Sequence, residues 1–507
     1  METELKFKIP ANSRSHLEGI FASKQLRGAV GVERREVTTY FDTSKFALAR
    51  AGFSLRVRHA GGANIQTLKS ISSVSGAAAQ RFEKEWPLDG KKPDLERLVG
   101  TPVFALVGTT DIPGLEAVFV TDVQRTTYPI SLGNGATAEC AIDEGEIRAG
   151  TVHAPVRELE IELKDGSLAA LYVFARKLHA LCPLEIASES KSSRGYRLIT
   201  GLPPGASKAG KVKLARKVTL EGGLRTIIGS GVGQLLSNLP ALGLADDAEA
   251  LHQARVAIER LRSAFRLFEQ YLETDAAHVF MRKLKHFGGI FGVARDLDVF
   301  VLETIPNARK EGVAGDWLDR LLGRAKEARL EAHRAVESLV AAPKFTGLVL
   351  ALSTWIENGC WPAAVKHRGK LRATMLSKIA PNILGPVEAK TCRLGHRIER
   401  RFENRLHKVR KMLKTLRDGV EDLGTLYGAK ETKRYCLACE AVQSVLGAVN
   451  DAIAADALVA KLSFGDDAGL VPGIDLFSEW TSRRRDAAMA RLPEAWAGFR
   501  REKAFWH

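Results

Sequence analysis

Glu2, Glu4, Lys6 and Lys8 alternate at the start of the chain, and Glu158, Glu160 and Glu162 alternate with the same period much later. In a β-strand, residues i, i+2 and i+4 share a face. Each segment therefore turns a row of charges one way, while Leu5, Phe7, Ile9, Leu159, Ile161 and Leu163 turn the other. A surface strand alternates in the same way, so the rows gain meaning from their neighbours. Arg56 and Arg58 share a parity, as do Arg81, Glu83 and Glu85, and Lys69, Arg125, Asp143 and Lys191 accompany them. Burying unpaired charge is expensive, so an interior lined this way must be wet and must hold counter-ions. Carboxylates are hard oxygen ligands suited to Mg²⁺ or Mn²⁺, and Lys and Arg suit phosphate oxygens. Together they describe phosphoryl chemistry, where positioning and charge neutralisation do most of the catalytic work.

Short β-branched or aromatic runs must position these charges. Val37–Phe41, Phe53–Arg58, Ile65–Ser70, Arg81–Leu88, Val118–Ile130, Ala136–Asp143 and Val156–Lys164 read as strands bounded by Gly, Asp or Pro. So many strands in one domain predict a barrel or sandwich. Ser13–Leu26 and Leu168–Leu181 have helical spacing, the second opening after the capping pair Gly166-Ser167. The stretch from Gly201 to Gly210 is the clearest linker. These signals divide the chain into 1–204, a linker over 205–215, and 216–507, an α+β multidomain protein whose last part is all helical.

The helical part repeats itself. His252-Gln-Ala-Arg255 with Leu261-Arg262 aligns with His407-Lys-Val-Arg410 with Leu416-Arg417, and Arg295-Asp296 aligns with Asn450-Asp451, all at an offset of 155. Two motifs at one unbroken offset predict a tandem of helical units, over about 220–345 and 375–500. Arg255, Arg262 and Arg266 fall on one helix stripe with His252, and His407, Arg410, Lys411, Lys414 and Arg417 form the matching one. Like charges on one face repel, so two facing stripes call for an anion, and a long flexible polyanion fits best. Of the net charge of +16, residues 1–200 account for only +2 (26 Lys and Arg against 24 Asp and Glu). The basic surplus thus lies in the helical part. The basic stripes carry little aromatic interleaving for base stacking and no recognised nucleic-acid motif appears, so no specific nucleic acid is expected.

Other signals are weak. Cys436-x-x-Cys439 has no partner pair, and Gly229-x-Gly231-x-Gly233 has no strand before it, so neither is read as a redox, zinc or nucleotide motif. Six scattered cysteines, no leading apolar segment and no run near the ~18 apolar residues of a membrane span predict a soluble, cytoplasmic protein.

The first part resembles the CYTH, or triphosphate tunnel metalloenzyme, superfamily. Glu2-x-Glu4-x-Lys6 resembles its E-x-E-x-K signature. Tyr40-Phe41-Asp42-Thr43, Leu55-Arg56-Val57-Arg58, Thr67-Leu68-Lys69, Ile142-Asp143-Glu144-Gly145, the run from Glu160 to Gly166, and Ser190-Lys191 follow in the family's order. The second part resembles a CHAD domain through His252 to Arg262, Arg295-Asp296-Leu297-Asp298, His407 to Arg417 and Asn450-Asp451. The resemblance implies an antiparallel eight-stranded barrel forming a tunnel, followed by a two-fold helical domain. It implies divalent-metal-dependent hydrolysis of inorganic triphosphate to pyrophosphate and phosphate, with Mg²⁺ or Mn²⁺ on Glu2, Glu4, Asp143, Glu160 and Glu162. Lys6, Lys8, Arg56, Arg58, Lys69, Arg81, Arg125 and Lys191 would grip the substrate, with Glu4, Lys6 and Glu85 as catalytic candidates. It also implies polyphosphate binding by the basic stripes. A thiamine triphosphatase, a class IV adenylate cyclase and a non-catalytic polyphosphate scaffold are the alternatives. Phe41, Asp418 and Glu259 depart from the families' patterns, and Glu259, opposite Lys414 in the repeat, predicts weaker anion binding by the first helical unit.

Overall fold

The computed structural model describes residues 2–23, 29–70, 73–104, 114–243, 248–359, 368–398, 403–463 and 471–506. The side chains of 73–75, 80–81, 368–369, 403 and 471–472 are not among those described. The chain divides into two compact units, one of residues 1–207 with 232–244 and 340–358, the other of 208–231, 245–339 and 359–507.

The first unit is built on one antiparallel sheet of eleven strands. They are β1 (Glu2–Lys8), β2 (Val32–Asp42), β3 (Phe53–Ala60), β4 (Ala63–Ser70), β5 (Ser73–Ser75), β6 (Ala78–Arg81), β7 (Glu83–Leu88), β8 (Glu116–Gly133), β9 (Ala136–Ala149), β10 (Val152–Asp165) and β11 (Glu185–Ala187). The order is β5-β6-β1-β10-β9-β8-β2-β3-β4-β7, with β11 also on β1. β6 pairs with β1 through Glu2↔Arg81, β7 pairs with β4 through Lys69↔Glu83, and only Phe82 separates β6 from β7. One stretch of chain therefore joins the two ends of the sheet and closes it. Taken as a single stave, it makes the expected eight-stranded barrel, with β5 and β11 as short additions. β3 turns into β4 through Gly61-Gly62, both at positive φ, the two-residue loop that suits the strand twist.

Because the inner face is charged, the apolar core lies outside the barrel. Leu5, Phe7, Leu159 and Ile161 are buried. So are Leu17 and Phe21 of α1 (Arg14–Ala22), while Leu48 of α2 (Ala47–Arg50) joins Phe41, Leu55, Leu68 and Trp86 in a second cluster. Leu171, Tyr172, Phe174 and Leu178 of α3 (Leu168–Leu181) are buried too, and that helix packs on β8 and β10. Each such side chain contributes about 1.5–3 kcal/mol. At one end the barrel interior itself turns apolar. There Tyr40, Phe119, Val123, Ile147 and Val156 pack against Tyr196 and Ile199 of α4 (Lys191–Thr200). Ser190 caps α4 by accepting the Ser193 amide, and Gly201 ends it at φ 64°.

The remaining helices are α5 (Leu220–Asn238), α6 (Ala248–Leu267), α7 (Thr274–Val299), α8 (Ile305–Lys310), α9 (Asp316–Ala341), α10 (Pro343–Glu357), α11 (Arg368–Arg372), α12 (Leu376–Leu394), α13 (Glu403–Leu423), α14 (Ala429–Leu462) and α15 (Val471–Arg501). The repeat is visible in their boundaries: α7 and α14 begin at Thr274 and Ala429, and 3₁₀ turns precede them at Glu269–Tyr271 and Gly424–Leu426, each pair again offset by 155. α6 packs on α13, where the Ser263 hydroxyl donates to Asp418 at 2.7 Å. Asp418, the departure noted in the sequence, is thus a buried acceptor. Gly231 lies inside α5 against Leu261, which rules out a phosphate-binding loop there. Cys436 and Cys439 are free thiols. Burial pushes the Cys436 thiol up to about 12 and raises Cys439 as well, which keeps both protonated. No single described helix is long and apolar enough to cross a membrane.

A Cβ on Gly195 would lie 2.2 Å from the Phe119 ring. Gly195→Ala should therefore displace α4 and lower stability by about 1–3 kcal/mol in urea denaturation. Gly210→Ala, with nothing within 4 Å of its Cβ, should stay within ~0.5 kcal/mol of wild type.

Candidate functional site

Residues opposite one another in neighbouring strands share a face, and the barrel's registers carry charge from strand to strand. β1 sets Lys6 beside Glu160 and Glu4 beside Glu162. β10 and β9 set Glu158 beside Asp143. β9 and β8 set Asp143 beside Arg125, and β2 adds Arg34 beside Arg125. Further round, Tyr40 meets Arg56, Ser54 meets Lys69, and Lys69 meets Glu83. All of these side chains except Glu4 and Glu158 line a cavity of about 880 Å³.

Two ion clusters organise it. In the first, the Lys191 ammonium, delivered by the first turn of α4, bonds to Glu158, to Asp143 at 2.6 Å and to Glu160 at 3.1 Å. Lys6 bonds to Glu160 and lies 3.4 Å from Glu4. Arg125 reaches Asp143 and Glu160, each at 2.6 Å. Burial alone would raise Glu160, but Lys191, Lys6 and Arg125 outweigh it and hold this carboxyl well below its ordinary range. Asp143 is lowered against burial by Lys191 and Arg125. In the second cluster Lys69 sits 2.7 Å from Glu83 and 3.1 Å from Glu2, and Arg56 lies 3.8 Å from Glu83. Here burial and the Arg56 charge win, and Lys69 is pushed down. Glu83 is raised by burial and by its hydrogen bond with Glu2. Glu85 accepts from Thr67 at 3.1 Å and lies 3.5 Å from Arg58.

Two observations say what the cavity lacks. Among the described residues, eight Lys and Arg side chains and nine Asp and Glu side chains line it. An anionic ligand therefore gains no net attraction unless cations enter with it. Moreover, Arg56 Nε is buried without an acceptor. Asp143, Glu158 and Glu160 offer oxygens all within 4.8 Å of one another, a hard donor set that fits a divalent cation.

On the helical repeat, α6 and α13 turn their basic stripes toward each other. Lys414 feels the charges of Arg255, Arg410 and Glu259, and Lys411 those of Arg262 and Arg266. Among the described residues, Arg255, Arg410 and Lys414 have no carboxylate within 4 Å. His252 Nδ1 and Arg262 Nε are buried without partners. Burial and the neighbouring cations push His252 and His407 down.

A CYTH domain model matches residues 1–196, and a CHAD domain model matches residues 226–460. The chain is a CYTH domain followed by a CHAD domain. An inorganic triphosphatase of Haemophilus influenzae is 32% identical over 161 residues, which cover 32% of this chain and 45% of that protein. The match thus spans less than half of that relative's length. The crystal structure of the CHAD domain from Ricinus communis covers 60% of this chain and 98% of its own at 23% identity, with a TM-score of 0.52, a likeness of fold. PptA from Streptomyces chartreusis covers 55% of this chain and 100% of its own at 16% identity and a TM-score of 0.42.

In the CYTH domain the cavity gathers Glu2, Lys6, Arg56, Arg58, Lys69, Glu85, Arg125, Asp143, Glu160, Glu162 and Lys191 from the residues singled out by sequence. Glu4 is buried beside Lys6 but does not line the cavity. Lys8 is set apart: its side chain is 65% exposed and paired with Glu185, because the end of β1 runs past the rim. The Arg81 side chain lies outside the described residues. Sequence reasoning left unassigned Arg34, Glu36 and Glu83, which line the cavity, and Glu158, which completes the carboxylate triad. Their signal was the same parity, but β2 begins at Val32 rather than Val37, so Arg34 and Glu36 fell outside the expected strand. In the CHAD domain Glu259 hydrogen-bonds Arg262, and Arg417 is drawn toward Glu421 and Gln443.

Asp143 and Glu160 are held below their unfolded values, so their contribution to stability is present above about pH 4.5 and lost as pH falls below it. Lys191→Met removes the cation shared by three buried carboxylates and should cost about 3 kcal/mol at pH 7. In urea denaturation the gap from wild type should narrow as pH falls to about 4; a pH-independent gap would contradict the assignment.

Proposed function

We propose that the CYTH domain hydrolyses inorganic triphosphate to pyrophosphate and phosphate with a divalent cation, Mg²⁺ or Mn²⁺, and that the CHAD domain binds polyphosphate. The observation that carries the first part is the cavity's charge balance: abundant cationic side chains for phosphate oxygens, yet no net positive charge without added metal. The inorganic triphosphatase among the relatives supports the same reading.

Asp143, Glu158 and Glu160, with Glu2, Glu4 and Glu162 as the further set expected from sequence, would hold the metal. When bound, it supplies charge neutralisation on the phosphate oxygens and eases deprotonation of a water. Lys6, Arg125 and Lys191 hold one end of the substrate, and Arg56, Arg58 and Lys69 the other. Arg56 Nε, buried and unpartnered, meets a phosphate oxygen. A water attacks the terminal phosphorus in line. The new P–O bond forms as the bridging P–O bond breaks, pyrophosphate leaves with the bond electrons, and the water proton passes to a cavity carboxylate, Glu85 being the candidate not tied to a lysine.

Phosphate release from tripolyphosphate should require Mg²⁺ or Mn²⁺, vanish with EDTA, and fall at least ~100-fold in Glu160→Gln. Metal-independent release, or equal release by the variant, would sink this reading. For the CHAD domain, burial and the neighbouring cations hold His252 and His407 below the ordinary imidazole range, so they are neutral at pH 8 and gain charge only on acidification. Long-chain polyphosphate should therefore bind the full chain more tightly at pH 5.5 than at pH 8. That difference should flatten in the double variant His252→Ala with His407→Ala, and Arg410→Ala should weaken binding at both pH values.

A further inference from the structure

The cavity has a wall that the barrel does not supply. Pro204, Ser207, Ser237 and Pro240 line it, on the side of the turn that leads into α4. These residues follow the last barrel helix in sequence, yet all four belong to the same compact unit as the barrel.

The wall is built rather than draped. Asn238 is fully buried and clamps Ser207 from both sides, accepting its amide at 2.8 Å and donating to its carbonyl at 2.9 Å. The Ser188 hydroxyl, on the turn before α4, donates to the Leu236 carbonyl at 2.7 Å. The segment 237–240 is thus tied to the turn that presents Lys191. The wall is also uncharged, in contrast to the rest of the lining. Apart from Lys191, the charged residue that lines the cavity from this turn is Glu189, itself paired with Arg197 at 3.0 Å.

We propose that this neutral wall is a chain-length stop, with Ser207 and Ser237 as specificity-determining residues. The inference rests on the triphosphatase reading above. A phosphate chain is held where ammonium and guanidinium groups meet its oxygens. Beyond Lys191 the next phosphate unit meets proline rings, hydroxyls and a carboxylate, and its charge goes uncompensated. Three phosphoryl groups are accommodated and a fourth is rejected by the lack of a partner, a discrimination made by leaving a charge unpaired.

The test supplies the missing partner. Ser207 is in coil and is held through its backbone, so Ser207→Lys adds a cation at the wall without removing a side-chain hydrogen bond. The readout is the ratio of kcat/KM for tetrapolyphosphate to that for tripolyphosphate. Ser207→Lys should raise it about tenfold, the effect of one modest added ion pair. Ser207→Gln, of comparable length but neutral, should leave the ratio at the wild-type value, and Ser237→Lys provides a second, independent position. An active enzyme whose ratio is the same in both lysine variants, or rises equally in the glutamine variant, overturns the chain-length stop alone. A wild type that cleaves neither compound overturns the triphosphatase reading and this inference with it.

Discussion

Lys191 set among Asp143, Glu158 and Glu160 is the interaction on which the tunnel depends. Three carboxylates this close cannot all remain ionised in a buried site without a cation between them. One ammonium group, with Lys6 and Arg125 at the flanks, keeps Glu160 and Asp143 charged against the cost of burial. The pairs need not add net stability, since desolvation offsets much of the attraction. Their effect is to make the charged interior tolerable.

That condition reaches outward. A barrel filled with charge has no apolar interior, so the first unit must find its hydrophobic stabilisation on the outer face and at one end. Leu5, Phe7, Leu159 and Ile161 supply the outer face, and the cluster around Phe119 and Tyr196 supplies the end. The second of these is directly coupled to the site. α4 is seated by Tyr196 against Phe119, its close approach needs Gly195, and its first residue is Lys191. Apolar packing at the barrel's end therefore fixes the position of the central ammonium.

Much of this was legible in the sequence because strand parity is a strong code. The rows Glu2 to Lys6, Arg56 and Arg58, and Glu158 to Glu162 face inward, and α3 was delimited to the residue by its cap and spacing. Parity reports the face of a strand, however, and not the depth along the barrel. Lys8 shares the inner parity and still lies past the rim, because tilt and stagger decide where a strand leaves the barrel. Glu158 has the parity of its neighbours, but only the register with Asp143 brings its oxygen into the triad. The wall at Ser207 and Ser237 had no sequence signal at all. It depends on the Asn238 clamp, a contact across 31 residues between a linker and a helix end.

On the proposed reading, the two domains would meet anions under opposite conditions. In the CYTH cavity the cations of the first cluster already have carboxylate partners, so a phosphate chain would have to compete for Lys6 and Lys191. Each carboxylate it releases is left buried and in need of a new cation. On that reading, occupation by an anion and by a divalent ion would thereby be thermodynamically linked, each raising the affinity for the other by the same factor. On the CHAD surface Arg255, Arg410 and Lys414 hold no such partner among the described residues. An anion there displaces no carboxylate, so its binding would need no metal and would weaken with salt. The contrast follows from pairing: the cations inside the barrel already have carboxylate partners before a ligand arrives, and these three on the helix faces do not.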